Sequence, residues 1–201
     1  QQQNHQLALD YFTQAQHVLH RHEGVHTTNQ LELVDLMIRQ NLQLNNYNIA
    51  NQLHQYRFEV HDQNYPKHDP RFLDAMFILA EWYQRRGAYS EAEALLKEVV
   101  SQLETQDGIS EQILKPLKQL AYNQYMQRDC CDDGILHDIT SRIKHSTTAD
   151  STEKHQTLIE TADLHLMAGN KSDARELYIE AATLSQPEQV SDTSLIPDAA
   201  P

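Results

Sequence analysis

Cysteine, glycine, proline and positive charge are all scarce in this chain. Its 201 residues hold 2 Cys, 5 Gly and 6 Pro. Two cysteines make no disulfide framework, and Cys130 and Cys131 are neighbours that could close only a strained ring. They read as ordinary thiols in a turn between helices, with a redox or soft-metal role as the alternative. So few glycines and prolines exclude an all-β chain full of tight turns and leave no place for a phosphate-cradling loop. Lys and Arg number 16 against 29 acids, a net charge of −13 with His neutral. Nucleic acid and anionic membrane surfaces need clustered cations, so neither is an expected partner. No apolar run approaches the ~20 residues that span a bilayer, so membrane insertion is not expected.

Catalytic signatures are missing as well. The chain has no Gly-x-Ser-x-Gly elbow and no His-Glu-x-x-His pair. His137 follows the cysteines by six or seven residues with no third group to orient it, so an enzyme is not expected. Histidine is abundant, with 12 copies, and His17 and His20 share a helical face with His22 and His26 close behind. Zinc requires three or four converging ligands, and no Cys or carboxylate joins these histidines at a convincing spacing. They are expected to be solvated side chains that titrate near ~6.5, with no metal or other cofactor.

What is present is repetition. Gly87, Ala88, Tyr89, Ala92 and Leu96 fall in step with Gly169, Lys171, Ala174 and Tyr178, while Asn45, Tyr47 and Ala50 precede the first set by 42 residues. A small or apolar residue also recurs seven positions before each turn: Ile38, Ala80, Ala121 and Ala162. Seven residues are two helical turns, so this residue faces the point where a second helix must approach closely. The third copy departs from the pattern, with Asp133 where Ala50, Ala92 and Ala174 stand. Apolar periodicity predicts helices near 4–22, 28–43, 47–62, 69–86, 89–104, 110–128, 133–145, 152–168 and 171–184. Thr27-Thr28, Asp69-Pro70 and Ser151-Thr152 supply the N-caps. Pro116 should kink its helix or delay its start.

The stretch from Leu79 to Leu96, with Ala80, Tyr83, Gly87, Tyr89, Ala92 and Leu96 at their offsets, resembles a tetratricopeptide repeat. Thr161 to Ala181 is a second good match. The period of about 42 residues, with Asp69-Pro70 opening a first helix, is similar to the kinesin-light-chain-like variant. The resemblance implies an all-α, right-handed superhelical solenoid of antiparallel helix pairs over residues 1–185. Its units would be a half repeat at 4–22 and pairs at 28–62, 69–104, 110–145 and 152–184. Residues 186–201, short of large apolar side chains apart from Leu195 and Ile196, are expected to form a disordered tail.

In such folds the first helix of each pair lines a concave wall that holds a peptide or protein segment. Carried onto this chain, the wall has Glu32, Asp35, Arg39 and Gln43, then Asp74, Phe77, Glu81, Gln84 and Arg85. The third and fourth helices give it Lys115, Lys118, Tyr122, Tyr125 and Met126, then Gln156, Ile159, Asp163, Leu166 and Met167. The Lys and Asn arrangement of a carboxylate clamp for chaperone tails is absent. The expected function is a non-enzymatic scaffold or adaptor for a protein or peptide. The alternative is a regulatory or sensory domain of a longer protein. Richness in Gln, Asn and His with modest Lys suits a bacterial envelope assembly, periplasmic or secreted, with the cytoplasm as the alternative. A chain that opens on Gln1 without methionine is expected to have had sequence upstream.

Overall fold

The computed structural model of the chain describes residues 2–105, 111–127, 133–145 and 151–184. Cys130, Cys131 and the expected tail lie outside them. The helices are α1 (Gln2–Glu23), α2 (Leu31–Gln43), α3 (Tyr47–Asn64), α4 (Pro70–Arg85), α5 (Tyr89–Glu104), α6 (Leu114–Met126), α7 (Asp133–His145), α8 (Ser151–Met167) and α9 (Lys171–Leu184). Among the described residues there is no strand, and the all-α class follows. The chain forms two compact units, the first ending at Arg142 and the second starting at Ile143.

Two helix starts differ from the sequence expectation. Residues 28–30 form a 3-10 turn before α2, because the Thr27 hydroxyl accepts from the Asn29 N–H at 3.3 Å and tightens the chain there. A second 3-10 turn covers Glu111–Ile113, so α6 opens at Leu114. Pro116 therefore lies in the first turn of α6, where its missing donor has no partner to lose, and the start is delayed rather than the helix kinked. Asp69 caps α4 as its sequence suggests, accepting from the Arg71 N–H at 2.9 Å ahead of Pro70.

The repeat is written most plainly in the turns. Asn45, Gly87 and Gly169 have φ of 59°, 74° and 88°, the left-handed region that ends a helix. After each, the next N–H returns to a carbonyl five residues back: Asn46 to Asn41, Ala88 to Tyr83 and Asn170 to His165, at 2.8–2.9 Å. Asn45, Gly87 and Gly169 themselves donate to Leu42, Gln84 and Leu166. The next helix then closes its first bond from Ala50, Ala92 or Ala174, all three buried where the paired helices come closest.

Packing in the first unit passes from pair to pair. Leu9, Val34, Met37, Ile38 and Leu53 join α1 to α2 and α3. Ala50, Leu79 and Trp82, with Leu42 and Phe58 against them, join that pair to α4. Phe77, Ala80, Leu96 and Leu120 bring α4, α5 and α6 together, with Leu95 and Ile135 alongside. In the second unit α8 buries Leu158, Thr161, Ala162, Leu164 and His165, and α9 buries Ala174, Leu177 and Ala181. The four residues seven positions before the turns, Ile38, Ala80, Ala121 and Ala162, are all buried.

Candidate partner-binding surface

Helix α6 presents one stripe to solvent. Lys115, Lys118, Tyr122 and Tyr125 follow one another at three- and four-residue steps, and Met126 stands four after Tyr122, which places all five on a single helical face. Tyr122, Tyr125 and Met126 are exposed, at 37%, 41% and 37%. The helix carries two lysines and no carboxylate in a chain of net charge −13. Its opposite face holds it in place: Leu117, Leu120 and Ala121 are buried, and Asn123 donates to the Tyr89 carbonyl at 2.7 Å.

Lys115 ties this stripe to α4. Its ammonium lies 4.3 Å from the centre of the Phe77 ring and 4.0 Å from the Glu81 carboxylate. Lys118 is half-buried. On the neighbouring first helices, Arg39 of α2 and Arg85 of α4 are exposed and Glu81 is half-buried. Leu166 is exposed on α8, in the second unit.

Two wall residues are placed otherwise than expected. Phe77 is only 5% exposed; its ring fills the space among α4, α5 and α6, under the Lys115 ammonium. Gln84 is buried too, donating to the Gln119 carbonyl at 3.0 Å and to Asn123 Oδ1 at 3.3 Å. Both are packed at the junction between repeats. A periodic pattern assigns a residue to a helical face, but a long side chain at its edge can turn into the gap between helices.

The histidines also depart from a uniformly solvated set. His61 and His165 are buried. His54 stacks on Trp82, ring centres 4.4 Å apart and planes 20° apart. Burial, with Arg57 and Arg85 nearby and Asp35 opposing them, lowers its pKa from 6.5 to about 4. His20 instead enters a polar knot: its Nε2 lies 2.7 Å from Gln30 Oε1 and 2.9 Å from the Tyr56 hydroxyl, which also donates to Gln30 at 2.7 Å. This knot fastens α1 to the turn before α2 and to α3. Composition alone gave no signal for it.

The molecule is thus an all-α protein built of repeated antiparallel helix pairs. No family model matches the sequence, and no curated protein does. Solved structures do resemble it. The TPR-like repeats of a kinesin light chain from Podosopora anserina, seen in two crystal structures, align with TM-scores of 0.73 and 0.72. Identity is 19% and 18%, over 94% and 91% of this chain and 92% and 88% of those. BtubC from P. vanneervenii aligns over 99% of both chains at 12% identity, with a TM-score of 0.54. At such identities the likeness is one of fold, and the chain has a TPR-like repeat fold.

Proposed function

We propose that this protein is a non-enzymatic scaffold that holds a segment of a partner protein against the first helices of its repeats, with α6 as the anchor. The observation that carries the reading is the exposed stripe of Tyr122, Tyr125 and Met126 beside Lys115 and Lys118. Aromatic side chains bring large contact area at small entropic cost, and such residues with a charged rim form interface hot spots. The two lysines favour a segment bearing carboxylates, through an attraction that salt weakens. Arg39, Glu81 and Arg85 on the neighbouring first helices would extend the contact.

Capture of partners from a native extract tests the proposal, comparing the parent with Tyr122→Ala/Tyr125→Ala after circular dichroism has shown both to be folded. Loss of the captured partner from the variant is the expected result, as is weaker capture by the parent at high salt. An unchanged set of partners rejects α6 as the anchor.

A further inference from the structure

The last helix pair exposes a face that α2–α3 and α4–α5 bury. On α2 and α3, Leu42 packs beside Leu79 and Trp82, His54 stacks on Trp82, and Phe58 meets Phe72 with ring centres 5.6 Å apart. Forty-two residues later, Gln84 donates to the Gln119 carbonyl and Leu96 is buried beside Leu120. These positions receive the first helix of the following pair. Their counterparts on α8 and α9 are Leu166, Tyr178 and Ala182. Among the described residues nothing covers them. Leu166 and Tyr178 are exposed, Ile179 beside them is 54% exposed, and together they line an open cavity of about 400 Å³.

The polarity of this face is inverted relative to its predecessors. Asn51 Oδ1 accepts from Trp82 Nε1–H at 3.0 Å, and Glu93 Oε2, at the equivalent position, accepts from Gln127 Nε2–H at 2.8 Å. The equivalent on α9 is Arg175, which can only donate. Lys171 stands one turn before it and also lines the cavity. Neither cation has an ion-pair partner among the described residues, and no carboxylate lines the cavity.

We propose that this face receives one amphipathic α-helix of a partner protein, seated as α4 sits on α3 and α6 on α5, with carboxylates directed at Arg175 and Lys171. The apolar stripe of the incoming helix would lie on Leu166, Tyr178 and Ala182, continuing the packing that joins the earlier pairs. This surface is separate from the α6 stripe and does not depend on it.

The probe is a fluorescein-labelled peptide copying residues 111–127, the helix that the preceding pair accepts. One form carries Asn123→Glu and Gln127→Glu, and its control carries Lys at the same two places. Fluorescence anisotropy with the full chain should show the acidic peptide binding at least about tenfold more tightly than the basic one. In the Arg175→Glu/Lys171→Glu variant, whose changed residues are exposed, that preference should reverse while the thermal melt stays within a few degrees of the parent. Absence of binding, or an acidic preference that survives the charge reversal, overturns the proposal. Two further results would reassign the face. A dimer seen by sedimentation and abolished by Ile179→Asp would give it to a second copy. Peptide binding that appears only after removal of residues 186–201 would give it to the chain's own C-terminal segment.

Discussion

His54 shows how one side chain can set the pH response of a junction between repeats. Stacked on Trp82 and flanked by Arg57 and Arg85, with Asp35 the nearby opposing charge, it is held neutral, its pKa lowered from 6.5 to about 4. The unfolded chain binds this proton at higher pH than the folded one. Its contribution to stability is therefore complete above about pH 6.5 and is lost as the pH falls from there towards 4. The side chain is partly exposed, so solvent screening reduces the contribution to about 1 kcal/mol. Urea midpoints at pH 7 and pH 5 should fall less in His54→Phe, which keeps a ring on Trp82, than in the parent. Equal falls would show that the imidazole is not the group responsible. The sequence showed that histidine was abundant but not which copies were buried. Burial of His54 depends on a partner ring 28 residues away on another helix.

At the scale of the element, the turns were the most legible feature because their chemistry is local. Gly87 and Gly169 announce a left-handed residue, and the register extends it to Asn45, which pays a smaller steric penalty there than most residues. Nothing stands within 4 Å of a Cβ built on Gly169, so an alanine there meets only backbone strain. Gly169→Ala should destabilise by about 1 kcal/mol and Asn45→Gly should change stability by less than about 0.5 kcal/mol, both read as urea midpoints. A silent Gly169→Ala would mean that the positive φ is not required. The start of α6 was half legible. Pro116 signalled a disturbance, but its outcome depended on whether residues 111–113 could take up a 3-10 turn. The burial of Phe77 and Gln84 was illegible for a related reason: whether an edge residue faces solvent or the next repeat is decided by the neighbouring helix.

At the scale of the whole molecule, the repeat made the all-α fold readable from a few small residues, whereas the exposed faces were not equally readable. The α6 stripe stood out because lysines and aromatics interrupt an acidic composition within one helix. The α9 face did not, since Tyr178 occupies the same place as the buried Leu96, and its exposure depends on what lies beyond it. The two surfaces lie on different compact units and share no residue. Changes at sites without shared partners add, so binding at each should be blind to loss of the other. Tyr122→Ala/Tyr125→Ala should leave the affinity of the acidic peptide within about twofold of the parent, and Arg175→Glu/Lys171→Glu should leave capture of α6 partners unchanged. The combined variant should lose both. If the tyrosine variant also lost the peptide while remaining folded by circular dichroism, the peptide would be reading the α6 stripe, and the separate assignment of the α9 face would fall while the scaffold reading stood.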